Sequence, residues 1–323
     1  MRRAFPDRHI HLVIENEENQ ASRLTRDVSG HPRWYTAQWN DDVHHVLHAA
    51  ATGEASGYYA DYNGQTARLG RALAEGFAFQ GEMTPYRGAP RGEPSAALPP
   101  TAFVAFAQNH DQVGNRAFGE RLSAIATPEA VRAVGSIYLL LPQIPVLFMG
   151  EEWSAAQPFP FFCDFSPKLA EAVRTGRREE FARFPEFQSP ETRERIPDPT
   201  AEETFLSAKL AWDDIGREPH AAQLAWHRRI LAVRRSEVVP RLGEMRAGGT
   251  YRVLGKDAVV VWWRLENDGE LMLAANLSHR TTSGFPLPSG RVIWREGEAG
   301  DGGVFGPFAV RWSLAKGNGE RRV

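Results

Sequence analysis

Four short apolar runs, each stopping at a knot of polar side chains, constrain this 323-residue chain more than any other feature. They are His9 to Ile14 before Glu15-Asn16-Glu17, Tyr35 to Trp39 before Asn40-Asp41-Asp42, Ala102 to Ala107 before Gln108-Asn109-His110-Asp111, and Ile144 to Met149 before Gly150-Glu151-Glu152. Continuous apolar runs of this kind suit strands buried on both faces, as in a parallel sheet. Helical stretches fall between them: Asp42 to Ala51, Gln65 to Gly76, and one opened by Thr127-Pro128-Glu129 that runs through Val134 and Tyr138. That opening joins a capping hydroxyl, a proline at the first helical position and an early acid. Strand, polar loop, helix, strand predicts a parallel α/β fold with chemistry at the C-terminal strand ends, a habit of (β/α)8 barrels and open sheets alike. Four such units are half of what a closed barrel needs.

The remaining chain is punctuated differently. Residues 78–101 are rich in Gly and Pro and read as an irregular surface loop. The stretch from 153 to about 220 is similarly broken, with charged helical turns around Lys168 to Phe184. A helix follows from about His220 to Arg235, with Leu224, His227, Ile230 and Leu231 at helical spacing. From Tyr251 the pattern becomes short β-type runs: Tyr251–Leu254, Ala258–Leu265, Glu270–Asn276, Arg291–Trp294 and Phe308–Trp312, parted by Gly, Asn and Asp. This predicts an all-β domain over 246–323 after an α/β domain over 1–245.

Composition narrows the function classes. No apolar run approaches the roughly 20 residues of a membrane span, and Met1-Arg2-Arg3 is not followed by the apolar segment of a signal peptide. The single cysteine, Cys163, fits a reducing cytoplasm. A net charge of -2 gives no strongly basic surface, which argues against a nucleic-acid partner. Nine Trp, 18 Phe and 7 Tyr supply flat aromatic faces suited to cores and to sugars.

Several strand-end residues can do chemistry. Glu15, at the rim of an apolar strand, could act as a general acid, or be a solvated loop carboxylate beside Glu17 and Glu18. Asn109-His110-Asp111-Gln112 crowds donors, acceptors and a carboxylate at one strand end, although Asn and Asp also favour caps and turns. After the second run, Asp41 and His45, and likewise His44 and His48, share helix faces at i,i+4. Sugar-hydroxyl contacts, helix capping and metal binding are all open to that group. The hydrolytic metal signature places Glu after the first His, and here His45 stands there. Gly150-Glu151-Glu152-Trp153 could brace a pocket, hydrogen-bond a substrate or serve a structural role at a buried rim. Gly114-Asn115-Arg116 lacks the Lys-Ser/Thr of a phosphate loop, and no Gly-x-Ser-x-Gly elbow occurs.

These segments resemble one family in order. Leu12-Val13-Ile14-Glu15-Asn16-Glu17-Glu18-Asn19 is similar to the fifth-strand segment of the maltooligosyltrehalose trehalohydrolases, in the α-amylase superfamily. Gln38-Trp39-Asn40-Asp41-Asp42-Val43-His44-His45, with Gly57-Tyr58-Tyr59-Ala60-Asp61, resembles the sixth; Asn109-His110-Asp111-Gln112-Val113-Gly114-Asn115-Arg116 the seventh; and Pro145 to Trp153 the eighth. The resemblance implies half a (β/α)8 TIM barrel, strands five to eight, followed by a small antiparallel β-sandwich. It implies Glu15 as proton donor and Asp111 as transition-state stabiliser. His110 is implied to hold the reacting sugar, and Asp41, Asp42, His44, His45, Gln112, Gly114 and Asn115 to contact substrate. The implied reaction is retaining hydrolysis of the α-1,4 bond next to a terminal trehalose, on maltooligosyltrehalose, with no metal or cofactor.

One part of the family pattern has no match here. A retaining glycosidase needs an acid and a nucleophile about 5–5.5 Å apart. The family's nucleophile is an aspartate at the end of the fourth strand, in a segment like Asp-Gly-x-Arg-x-Asp that would precede residue 9. Asp7 lies in a loop leading into the fifth strand and is not assigned that role. The expectation is therefore a chain whose nucleophile segment is absent, whose partner is the N-terminal half of the enzyme, and which alone is inactive and marginally soluble. A glycogen-branching or debranching relative, a non-catalytic carbohydrate-binding remnant and a metal hydrolase built on the His-rich helix stand as alternatives.

Overall fold

Four parallel strands form in the expected order. In a computed structural model describing Phe5, residues 8–181 and residues 187–316, they are β1 (Val13–Ile14), β2 (Ala37–Trp39), β3 (Phe103–Ala105) and β4 (Ile144–Pro145), adjacent as β1-β2-β3-β4. Asp7 and Phe184 lie outside the described residues. Val13 pairs with Ala37, Gln38 with Phe103, and Val104 with Ile144. The strands are shorter than the apolar runs, for local reasons. The Leu12 N–H donates to the Thr36 hydroxyl at 3.1 Å rather than to a strand carbonyl. Pro145 has no N–H to extend β4, although the Val146 N–H still reaches the Ala105 carbonyl at 2.9 Å.

Helices α1 (Asp41–Thr52), α2 (Thr66–Glu75) and α3 (Pro128–Tyr138) stand within a residue or so of the expected bounds. Gly53 ends α1 in the left-handed region at φ 75°, its N–H returning to the Ala49 carbonyl at 3.0 Å, a helix stop that suits glycine. Residues 78–101 correct the expectation of an irregular surface loop. A hairpin pairs Met83–Thr84 with Ala89–Pro90, while Phe79, Arg91 and Ser95 are buried. Phe77 and Leu98, on either side of that hairpin, join Ala21, Leu24, Ala102 and Phe103 in one apolar cluster. At Gly92, φ 85°, a Cβ would sit 1.9 Å from the Phe79 carbonyl oxygen, so the return strand can lie this close only as glycine.

The C-terminal region is one five-stranded antiparallel sheet: β5 (Thr250–Gly255), β6 (Ala258–Arg264), β7 (Glu270–Asn276), β8 (Arg291–Glu296) and β9 (Ala309–Ala315), ordered β8-β9-β7-β6-β5. The expected sandwich is thereby corrected. Among the described residues, beside the sheet stands only a two-residue pair, Thr282–Ser283 with Val304–Phe305. One face packs Ala258, Val260, Met272 and Ala274 on Phe285, Ala299 and Phe305. The other face, with Trp263 stacked on Trp312, needs no second sheet because helices cover it. The Trp312 indole N–H donates to the Ser136 carbonyl of α3 at 2.9 Å, and that of Trp294 to the Ser136 hydroxyl at 3.1 Å.

Contacts divide the chain into two units. The first comprises 1–107, 132–146 and 230–323, and holds the four-stranded and five-stranded sheets. The second comprises 108–131 and 147–229, with helices Pro167–Phe181, Pro190–Glu194 and Glu202–Ser207. The helix expected from His220 to Arg235 ends at Val233 and continues as a π-helical turn, Arg234–Val238. Among the described residues no helix is long and apolar enough to cross a membrane.

Candidate active site

In the first unit, Glu15 is the first residue beyond β1 and is exposed. The loop it opens, 15–19, is tied down behind it. Asn19 is buried in the left-handed region, φ 50°, and its amide both donates to Asp42 at 3.0 Å and accepts from Gln38 at 2.9 Å. Gln38 also donates to the Asn16 carbonyl at 3.0 Å.

Asp42 is the hub of this arrangement. Fully buried in the first turn of α1, its carboxylate accepts from Asn19, the Tyr62 hydroxyl (2.7 Å), the Arg91 guanidinium (2.8 Å) and the backbone N–H groups of Ala78 (2.7 Å) and Phe79 (3.4 Å). Burial, with Asp42 alongside, pushes the Tyr62 hydroxyl well above its usual range. Burial by itself would pull the Arg91 guanidinium down, but Asp42 and Tyr62 more than offset it and hold Arg91 above its ordinary value. A buried carboxylate with this many donors is a satisfied structural charge.

The next turn of α1 is engaged in the same way at His44. The two His44 ring nitrogens lie 2.6 Å from the Ala107 carbonyl and 2.9 Å from the Tyr59 hydroxyl, in a fully buried site. His48 is buried, 2.8 Å from Glu54 and stacked on Tyr59 with centroids 4.2 Å apart. The i,i+4 histidine pair is therefore engaged by protein partners rather than arranged about a shared ion. Asp41 and His45 alone of this group reach the surface, both half-buried. The His45 ring lies among Tyr58 and Tyr62 (5.0 and 4.8 Å), its Nδ1 buried with no hydrogen-bond partner. Burial, and then the positive fields of His44, Arg91 and His48, hold its pKa well below the usual histidine value. Asn40, at the N-cap of α1, turns inward instead, donating to the Gly76 carbonyl (2.9 Å) and to Gln143 (3.0 Å).

In the second unit, Asn109-His110-Asp111-Gln112 separates into two roles. Asn109 caps the short helix His110–Gly114, its side chain accepting from the N–H groups of Asp111 (2.8 Å) and Gln112 (3.3 Å). His110 and Asp111 turn outward, with side chains 66% and 48% exposed and 3.7 Å apart, and Asn115 is exposed as well. Gln112 is half-buried. Gly114 is buried, and its carbonyl accepts from Arg177 of helix 167–181 at 3.0 Å, so it serves as backbone support for the turn. Glu151 accepts from Gln108 at 3.3 Å and from the Phe148 N–H at 3.3 Å, the bracing role.

Sequence reasoning missed Asn19, Tyr62, Arg91 and Arg177. Nothing in Gly88-Ala89-Pro90-Arg91-Gly92 separates a buried arginine from a solvated one.

A malto-oligosyltrehalose trehalohydrolase of Arthrobacter ramosus is 41% identical over 230 residues, 71% of this chain and 39% of that protein. One from Deinococcus radiodurans is 39% identical over 246 residues, 75% of this chain and 40% of that protein. This chain is a homologue of the malto-oligosyltrehalose trehalohydrolases. It spans about two fifths of the length of these trehalohydrolase relatives. A Salmonella typhimurium crystal structure, provisionally described as an alpha amylase, superposes with a TM-score of 0.89 at 42% identity, over 98% of this chain and 53% of that one. A family model described as a domain of unknown function, DUF3459, matches residues 246–317.

Proposed function

We propose that these residues are the acid-bearing part of a retaining α-glycosidase that cuts the α-1,4 bond next to a terminal trehalose, releasing trehalose from a malto-oligosaccharide chain. The observation that carries this reading is Glu15: an exposed carboxyl at the C-terminal end of a parallel strand, on a firmly tied loop, in a homologue of trehalohydrolases. Glu15 gives its proton to the departing glycosidic oxygen. An attacking carboxylate bonds to the anomeric carbon, and Glu15 then takes the proton of the water that releases the sugar. Asp111, exposed beside His110, supplies negative charge for the cationic transition state. Asp41, His45, His110, Gln112 and Asn115 are assigned to sugar hydroxyls, while Asp42 and His44 in the first unit and Gly114 in the second are assigned supporting roles within their own segments.

The parallel sheet is read as part of a (β/α)8 barrel over residues 1–245, with an accessory β domain from 246, where the family-model match begins. None of the described residues is assigned as nucleophile. That group, and the strands that complete the barrel, are assigned to polypeptide outside these 323 residues. The test is maltotriosyltrehalose hydrolysis. The 323-residue chain alone is expected to release no trehalose, and the full-length gene product to release it together with maltotriose. Trehalose release by the 323 residues alone at enzyme-like rates would overturn the nucleophile assignment, and a branched glucan as product would overturn the reaction.

A further inference from the structure

We infer that Arg91 is a positioning residue for the Glu15 loop, one guanidinium fastening the backbone of that loop to the buried carboxylate of α1. The inference rests on reading Glu15 as the proton donor. The Arg91 Nε donates to the Glu17 carbonyl at 2.8 Å, two residues from Glu15, while its Nη1 donates to Asp42 at 2.8 Å. Both ends of the link are firm. Asp42 has no solvent exposure, and Arg91 is itself only 7% exposed, a costly place for a guanidinium that made no specific contact.

The neighbouring contacts run the same way. The Gly92 N–H reaches the Glu18 carbonyl at 3.2 Å, and the Glu93 N–H the Asn19 carbonyl at 3.1 Å. The segment 91–93 therefore lies along residues 17–19 of the Glu15 loop, and Gly92, where a Cβ would strike the Phe79 carbonyl, lets it lie there. Arg87 also donates to the Glu17 carbonyl, at 3.2 Å, but it is partly exposed and turns to Glu17 and Glu18 on the surface, so it reinforces the loop without anchoring it. A general acid works only within hydrogen-bond reach of the departing oxygen. Here that reach is set through a main-chain carbonyl, and no replacement of a loop side chain removes the carbonyl.

A lysine cannot hold both ends. Its single ammonium lacks the guanidinium's spread of donors, so Arg91→Lys keeps a cation beside Asp42 and releases Glu17. The experiment compares leaving groups in the full-length gene product, using maltotriosyltrehalose, whose departing sugar needs a proton, and α-maltotriosyl fluoride, whose fluoride needs little help. Glu15→Gln is the reference. Arg91→Lys is expected to lower kcat about 100-fold on the oligosaccharide but only about 5-fold on the fluoride, the pattern of a displaced acid, with KM and thermal midpoint near the parent's. Equal proportional losses on both substrates, or no loss on either, would overturn the inference. Asp42→Asn, which keeps the shape and weakens the hold on Arg91, should show the same split in smaller measure and serves if Arg91→Lys folds poorly. If Glu15→Gln itself fails to separate the two substrates, the proton-donor reading falls and the inference falls with it. If Glu15→Gln separates them and both the Arg91 and Asp42 variants do not, the inference alone is overturned.

Discussion

His45 shows how much a neighbourhood can change a residue whose surroundings cannot be read from its spacing. Its ring stands among Tyr58 and Tyr62, and burial followed by three positive neighbours keeps its pKa well below 6.5. The folded protein thus resists a proton that the unfolded chain accepts. As pH falls through about 6.5 the unfolded state binds more protons, and stability declines until the lowered folded-state pKa is passed. Above about 6.5 this contribution is fully present. Denaturant midpoints at pH 8, 6.5 and 5 are expected to fall more steeply for the parent than for His45→Gln, by at most about 1.4 kcal/mol per pH unit. Parallel pH curves would show that His45 is not the group responsible. At this scale the strand ends single out Glu15 and Asp111 as candidates, and the structure leaves both side chains accessible. The burial of Asp42 and His44 among protein partners was not legible, since i,i+4 spacing says which residues share a helix face but not whether that face looks outward. Arg91 left no trace in the sequence, because its partners lie in segments around residues 17, 42 and 62.

At the level of elements, the contact between α2 and the C-terminal sheet turns on one glycine. A Cβ on Gly70 would stand 2.2 Å from the Tyr251 ring, so α2 gives up helix propensity to let β5 lie against it. Gly70→Ala should gain a few tenths to 1 kcal/mol as a helix residue, yet overpacking against a ring held by the sheet costs about 1–3 kcal/mol. A net loss of stability is expected in urea denaturation. Gly70→Ala combined with Tyr251→Ala should recover part of it, and a double variant no better than Gly70→Ala would remove the steric account. Element order, parallel pairing and most helix bounds were legible, since periodicity and caps are local. Strand lengths were not. They depend on the neighbour each residue finds, as at Leu12, whose N–H goes to a threonine hydroxyl. The last α-helix also stops at Val233, short of the expected Arg235. Arg234 turns inward there to donate to the carbonyls of Leu139, Leu141 and Gln143, and burial lowers its pKa to about 10.

For the whole chain, the parallel sheet has two edge strands without a neighbour among the described residues. Val13 on β1 and Ile144 on β4, the two edge strands, are 44% and 37% exposed. Apolar, unpaired edges invite pairing with other chains. The 323 residues expressed alone should self-associate with rising concentration, and Val13→Lys with Ile144→Lys should lower the light scattering without altering the circular dichroism. Unchanged association in the double variant would place the sticky surface elsewhere. The single C-terminal sheet was legible as alternating β runs, but its partner was not. The resemblance implied a sandwich, and the sequence does not say that helices cover the second face of the sheet.

Ser136 is where that covering becomes observable. Two of the nine tryptophans, Trp294 and Trp312, place their indole N–H groups on this one residue of α3. Indole emission shifts when such a bond is exchanged for water, so the junction between the helix and the C-terminal sheet carries its own optical label. Parting of the sheet from the helix, by heat, denaturant or a cut in the chain near residue 246, should register as a red shift without any added dye.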